Sequence, residues 1–391
     1  MSRHITTGID IGTKNTRVVI AERRGKRGSI KVLGTGNAES FGLRHGYITH
    51  IDEAIKSISD AVKQAEQEAN TRVKQALISA GGLSLGSTIG VGSTLISRVD
   101  GEVTSLDIER AIAASKEKAG DLQNKKIIHQ VVLQYKLDGK EILGRPRGMR
   151  GMKFETRVLF ITCIAQHLDD FVHATEEAGI DVGDVAASPI AASLVTLTNT
   201  QRIAGCVLVN IGAETVSLAV FENDKPTSLE VFPIGSTDIT NDIALGLKIP
   251  LEDAERVKLG SLTGEEYPQK KLGEIIQARL SDIFDLVEAH LKKVGRNGLL
   301  PAGIVITGGG SGVATIEDLA KASLKLPARI AMSHTNNNVD SKIKDPAWSV
   351  AYGLCILGLH DTYTSDFAEI SRRRAEDYFK TFILWVKQFL P

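Results

Sequence analysis

Two short phrases of one kind stand two hundred residues apart. The first reads Ile9-Asp10-Ile11-Gly12-Thr13-Lys14-Asn15-Thr16 and the second Val209-Asn210-Ile211-Gly212-Ala213-Glu214-Thr215. Each ends an apolar run, turns at a glycine and enters a second apolar run, Val18-Val19-Ile20 or Leu218-Ala219-Val220. A strand–Gly-turn–strand hairpin exposes backbone N–H groups at its tip, and such groups can hold phosphate. Two facing hairpins would grip one phosphate chain between two halves of the molecule. A third apolar run, Ile304-Val305-Ile306-Thr307, leads into Gly308-Gly309-Gly310. Three glycines after a buried strand let the backbone approach a ligand closely.

The elements that must position these loops follow from periodicity. Strands are expected over 16–22 and 30–36, flanking the basic turn Arg23-Arg24-Gly25-Lys26-Arg27-Gly28. Asp52 is expected to cap a helix over 53–69, in which Ile55, Ile58, Val62 and Ala65 recur at helical spacing. A strand over 73–80 follows. Residues 83–157 break the pattern, with one helix at 105–119 among strands such as 127–137, and read as an inserted subdomain. Strand 156–163, helix 166–178 and strand 182–187 return to the first pattern. The second half starts near 203 with strands 205–211, 215–221 and 228–233. Helices follow at about 236–246, 251–259 and 270–294; the last carries Leu272, Ile275, Ile276, Leu280, Ile283, Leu286 and Val287 on one stripe. A helix at 346–359 precedes a polar stretch and a tail. Repeated hairpin-then-helix halves predict a duplicated α/β fold around a cleft.

Composition sets bounds. With 391 residues, two or more domains are expected. The formal net charge of zero supplies no global field to recruit nucleic acid. Arg145-Pro146-Arg147-Gly148-Met149-Arg150 is basic but holds no aromatic stacking partner, so it reads as a surface loop or filament contact. The nine histidines show no ligand spacing. Cys163, Cys206 and Cys355 are few and far apart, which suggests a reducing compartment. Met1-Ser2-Arg3-His4 leads straight into a strand, so no signal peptide is expected. No apolar run approaches the ~20 residues that span a bilayer.

The tail, 372–391, has its own chemistry. Tyr378, Phe379, Phe382, Ile383, Val386, Phe389 and Leu390 share one helical face, and the block holds five basic and two acidic side chains. Five of the chain's nineteen aromatics fall here. A cationic, one-sided helix of this kind suits the interface plane of an anionic membrane. The membrane-binding candidates are Arg374, Phe379, Phe382, Ile383, Trp385, Val386, Phe389 and Leu390.

Taken together, the phosphate loops resemble those of the actin/Hsp70/sugar-kinase ATPase superfamily. Further stretches make the chain similar to one of its families, the bacterial cell-division FtsA proteins. These are Lys31-Val32-Leu33-Gly34, Gly46-Tyr47-Ile48-Thr49-His50-Ile51, Thr240-Asn241-Asp242-Ile243-Ala244, Glu252-Asp253-Ala254-Glu255-Arg256-Val257-Lys258 and Leu300-Pro301-Ala302-Gly303 running into the third glycine loop. The resemblance covers nearly the whole chain and implies duplicated actin-like (ribonuclease-H-like) halves around a nucleotide cleft. It divides the chain into subdomain 1A (1–82 and 158–202), an inserted subdomain 1C (83–157), 2A (203–235 and 303–359) and 2B (236–302). A linker (360–371) and a membrane-targeting helix (372–391) follow.

By the same resemblance, Asp10 matches the acid that orients magnesium. Gly12, Thr13, Lys14 and Asn15 match the first phosphate loop and Gly212 the second. Glu255 and Lys258 match a pair flanking adenine and ribose, and Gly308, Gly309 and Gly310 the adenosine loop. ATP and Mg²⁺ are the implied cofactors. Three positions depart from the family. Asn210 replaces the second loop's acid, weakening the hold on a hard cation. Glu214 replaces a glycine, so its carboxylate would face phosphate or its bulk would bar close approach. Ser188-Pro189 replaces Glu-Pro, and a Ser hydroxyl is a poor base at neutral pH. The expectation is a degenerate or binding-only cleft with little or no turnover.

The family also implies partners. Arg279 and Asn241 match positions that grip the C-terminal peptide of FtsZ, although residues 260–269 are shorter than the usual stretch and imply a trimmed 2B. Self-association into filaments, contact with other division proteins, and a peripheral place on the cytoplasmic face of the membrane at the division site are implied too; no nucleic acid is. Two rivals share the fold. Acids at 188 and 210 would favour an active ATPase, and Ser188 and Asn210 speak against it. A pilus-assembly scaffold would not need the cationic tail.

Overall fold

The computed structural model describes residues 3–25, 29–120, 122–260, 267–331 and 341–359. Strands β1 (Arg3–Ile11), β2 (Asn15–Arg24) and β3 (Ile30–Glu39) form an antiparallel meander. A two-residue-per-strand hairpin, β4 (Leu43–Arg44) and β5 (Tyr47–Ile48), leads to helix α1 (Ile51–Ala69) and strand β6 (Gln75–Ala80). The helix begins earlier than expected. His50, in extended backbone, is its cap residue, and Asp52 lies inside the first turn with Glu53. There the two carboxylates favour the positive end of the helix dipole instead of capping it.

The insert is a sheet of its own: β7 (Gly86–Leu95), β8 (Lys125–Leu137), β9 (Lys140–Ile142) and β10 (Lys153–Ile164), in the order β7-β10-β8-β9, with α2 (Ser105–Lys118) against it. The expected strand 156–163 is the core of β10. It pairs with β7 and β8 inside the insert and not with the first-half sheet. Sequence reading placed it wrongly because an apolar run such as Val158-Leu159-Phe160-Ile161 fits any buried strand. Strand β7 was not anticipated: Gly86, Gly90 and Gly92 blur its alternation.

After α3 (Ala165–Glu177), strand β11 (Asp181–Ala187) rejoins the first sheet in parallel with β6. Helices α4 (Ser188–Thr196) and α5 (Asn199–Ala204) cross to the second half. That half repeats the design with β12 (Cys206–Ile211), β13 (Val216–Glu222) and β14 (Lys225–Phe232), then α6 (Ser236–Leu247), α7 (Leu251–Lys258), α8 (Gln269–Lys293), β15 (Ile304–Thr307), α9 (Ile316–Leu324), β16 (Ala328–Ile330) and α10 (Ser349–Gly358).

The two large sheets have one topology. The first runs β3-β2-β1-β6-β11 and the second β14-β13-β12-β15-β16, each with three antiparallel strands followed by two in parallel. The duplication expected from the doubled phrase is therefore present. Helix α8 buries Leu272, Leu280, Ile283 and Val287 of its expected stripe, with Phe284 and Leu291, in the second-half core, while Ile275, Ile276 and Leu286 pack against it partly buried. Helix α10 returns to the first half. Gly353 packs so closely on α4 that a Cβ there would lie 1.9 Å from the Ala191 carbonyl oxygen. One core cluster spans Leu77, Ala187, Ala191, Leu208, Phe221, Val305 and Leu354, so both halves share a packed hinge beneath the cleft.

Candidate functional site

The two glycine turns face each other above that hinge. In the first, the Gly12 N–H donates to the Asn15 carbonyl at 3.2 Å; in the second, the Gly212 N–H donates to the Thr215 carbonyl at 2.8 Å. The same bond closes both turns and leaves the tips' remaining N–H groups available to an anion. The cavity between them measures about 230 Å³. One wall carries Asp10, Gly12, Thr13, Lys14, Asn15 and Arg17. The opposite wall carries Asn210, Gly212, Ser236, Glu255, Gly308 and Gly309. Ser188 also lines the cavity; Gly310 does not, being packed on Ile211 and Ser236.

Hairpin register explains the electrostatics. Asp10 on β1 is paired with Arg17 on β2, while the equivalent pair in the second half is Asn210 and Ser217. Directly paired residues of an antiparallel ladder present side chains to one face. One copy thus places an acid and a base side by side; the other places two neutral groups. Asp10 accepts a hydrogen bond from Ser79 Oγ at 2.8 Å, and Ser79 in turn accepts the Ile11 N–H at 3.3 Å. Burial pushes the Asp10 carboxyl above the usual carboxylate range, against the Ser79 bond and the Arg17 charge. Burial likewise pulls Arg17 down, opposed by Asp10 and Asp345.

Magnesium, implied by the family resemblance, fits this arrangement poorly. It is held through one or two carboxylates plus phosphate oxygens. Asp10 stands with a guanidinium in register beside it, Asn210 offers no charge, and among the described residues no cluster of three or more His, Cys, Asp or Glu could hold a metal. Glu255 also faces the cavity but is saturated. Its Oε1 accepts Lys14 Nζ at 2.7 Å, and its Oε2 accepts Thr240 Oγ1 at 2.6 Å and Lys258 Nζ at 2.7 Å. Burial would raise this carboxyl, but these three donors hold it at about 2. Lys258 is buried behind Glu255, where it also donates to the Ser236 carbonyl at 3.1 Å; it does not line the cavity.

The three departures take different places. Ser188 donates its hydroxyl to the Ala80 carbonyl at 2.8 Å and is 7% exposed, so its proton is already engaged. Asn210 remains on the cleft wall. Glu214 is not among the residues that line the cavity between the turns. It lies at the rim and crosses the cleft, where its Oε2 accepts the His45 N–H while His45 Nδ1 lies 3.3 Å from the Glu214 carbonyl oxygen. With Lys14–Glu255, this is one of the polar bonds that cross between the halves beside the glycine turns.

Asn241 is exposed on α6, where it lines the cleft rim with Glu214, and Arg279 lies on the neighbouring α8. The Arg279 fork is bidentate to Asp242, Nε to Oδ2 at 2.7 Å and Nη2 to Oδ1 at 3.1 Å, with Asp282 at 3.4 Å. A ligand there must share or displace Asp242. The membrane-binding candidates from Arg374 to Leu390 and residues 261–266 lie outside the described residues. Among the described residues no helix is long and apolar enough to cross a membrane.

Sequence reading missed Arg17, Ser79, Thr240 and His45. The register around the Gly12 turn puts position 17 opposite position 10, so Arg17 was detectable. Ser79, Thr240 and His45 come from distant segments and carry no local signal.

Known proteins share both the fold and much of the sequence. A family model described as "Cell division protein FtsA" matches residues 207–353, and one described as "SHS2 domain inserted in FTSA" matches residues 87–162. The latter coincides with the inserted sheet. The chain is 31% identical over 368 residues to cell division protein FtsA of Neisseria meningitidis serogroup B, covering 88% of each. It is 29% identical over 379 residues to FtsA of Pseudomonas aeruginosa, covering 92% of this chain and 90% of the relative. Among solved structures, the PilM–PilN type IV pilus biogenesis complex matches with a TM-score of 0.64 at 18% identity, over 90% of this chain and 98% of the other. MreB5 of Spiroplasma citri bound to ADP matches with a TM-score of 0.53 at 14% identity, over 95% and 99%. These likenesses show an actin-like fold. With matched models over the insert and the second half, and a 31% identical relative covered nearly end to end, the chain belongs to the FtsA family of cell division proteins.

Proposed function

We propose that this chain is a cell-division adaptor. It assembles into filaments on the cytoplasmic face of the membrane, holds FtsZ through the Asn241–Arg279 face, and rests on anionic lipid through 372–391. Its cleft binds a nucleotide through Gly12 to Asn15, Gly212 and the Gly308–Gly309 loop, without appreciable turnover. The observation that carries the adaptor reading is the family match over both the inserted sheet and the second half. The one that carries the lack of turnover is the engaged Ser188 hydroxyl with Asn210 opposite, since neither position supplies a carboxylate to order an attacking water.

One short amphipathic helix gives marginal membrane affinity, so filament avidity completes the anchor. The test is cosedimentation with vesicles containing anionic lipid, with and without the C-terminal peptide of FtsZ. The full chain should pellet and carry the peptide with it, and a chain ending at His360 should stay in the supernatant. Pelleting of the shortened chain to the same extent would overturn the anchor. Steady-state phosphate release at a rate comparable to active ATPases of this superfamily would overturn the binding-only cleft.

A further inference from the structure

We propose that the cleft takes the phosphates of its nucleotide on the Arg17 guanidinium in place of a divalent cation. The proposal deepens the reading of the cleft as a nucleotide site and rests on it.

Arg17 is the register partner of Asp10, so it projects from β2 on the face that carries the acid. It lines the cavity, and its Nη2 lies 4.0 Å from where a Cβ on Gly309 would stand, so the side chain spans from the first phosphate hairpin to the third glycine loop. The Trp348 ring supports it, with the guanidinium carbon 5.9 Å from the ring centroid. Among the described residues Arg17 makes neither a hydrogen bond nor an ion pair; Asp10 and Asp345 balance it only at longer range. The other cation lining the cavity, Lys14, is engaged by Glu255, which also holds the buried Lys258 behind it. A nucleotide's phosphates brought between the two hairpins would therefore meet one unengaged guanidinium, whose planar fork matches phosphate oxygens two at a time.

The same residues argue against a divalent ion. A cation beside Asp10 would face the fixed charge of Arg17, with no second carboxylate at 210 to compensate. An Asp10–Arg17 pair is close to neutral as a unit; adding Mg²⁺ to it costs repulsion that an acid pair would not impose.

The experiment is titration calorimetry of the full chain with ADP and with ATP, in buffer containing either magnesium or EDTA. Affinity should differ by no more than about twofold between the buffers. Arg17→Gln should weaken binding about tenfold or more in both, as loss of a hydrogen bond to a charged group does, and Arg17→Lys should recover part of it. Arg17→Gln combined with Asn210→Asp should bind only with magnesium. Magnesium-dependent binding by the unaltered chain overturns this proposal alone and leaves the nucleotide reading standing. Full-strength binding by Arg17→Gln overturns it as well. Binding in neither buffer overturns both. The comparison of buffers needs no variant, so a variant that fails to fold leaves the decisive measurement intact.

Discussion

Asn210 keeps its place on the cleft wall because the glycine packed against it, Gly308, has no side chain. Gly308 sits at φ +92°, and a Cβ there would lie 2.3 Å from Asn210 Oδ1 and 2.5 Å from the Ile211 carbonyl. Backbone conformation and close approach both demand glycine. Gly308→Ala should therefore destabilise the protein by roughly 2–3 kcal/mol. A methyl group on Gly309, one residue on, would meet nothing nearer than 4.0 Å, so Gly309→Ala should change stability by less than about 1 kcal/mol. Urea denaturation of the pair checks this; equal effects would refute the steric argument. At this scale the sequence is informative about identity and poor about partners. Three glycines after a strand were visible as a loop, but the atoms that forbid a side chain come from β12, about a hundred residues earlier.

Helix α2 shows how one element of the insert is held. Its cap Thr104 and third residue Asp107 form a reciprocal capping box, and the buried Asp107 carboxylate also accepts the Ser97 N–H at 3.1 Å and Ser97 Oγ at 2.9 Å. Burial alone would raise this carboxyl; the Thr104 and Ser97 donors outweigh it and bring it down to about 2. The folded value lies below the unfolded value of 3.8, so the carboxylate's contribution is fully present above about pH 4 and is lost as pH falls toward 2. The difference corresponds to about 2 kcal/mol. Asp107→Asn should cost about that much at pH 7 and progressively less below pH 4, read from urea denaturation at several pH values. A cost independent of pH would show that shape, not charge, holds the cap. Thr104 three residues before Asp107 is a capping signal in sequence, and the helix was expected at nearly its observed length. Ser97 joins it from the end of β7, a strand that glycines concealed, so the network was not foreseeable.

Among the polar bonds between the halves, two cross the cleft beside the glycine turns: Lys14 to Glu255, and Glu214 to His45. The cavity beside them measures about 230 Å³, below the roughly 300–1,000 Å³ of small-molecule pockets. Both pairs are partly exposed, and such bonds contribute about 0.5–1 kcal/mol each. Breaking both with Lys14→Ala and Glu214→Ala should raise the open population about five- to thirtyfold. Amide exchange at the Gly12 and Gly212 turns should quicken by that factor, and nucleotide association should accelerate with it. Unchanged exchange would mean that the shared core under α4 and α10 alone sets the closure. Glu214, expected from sequence to face phosphate or to bar its close approach, accepts the His45 N–H across the cleft.

The doubled phrase, the helical stripe of α8 and the third glycine loop were enough to determine the duplicated α/β plan, because hydrophobic periodicity and turn chemistry act within a few residues. Asn210 and Ser188 could likewise be read as losses, since a missing carboxylate is a property of residue type. What only the tertiary structure decided is where each charge ends up. Arg17 beside Asp10, Glu214 on His45 and Lys258 behind Glu255 depend on strand register and on which side of the cleft each side chain emerges. Coulomb energies and hydrogen bonds fall steeply with distance, and the distances between the halves are set by the packing that joins them.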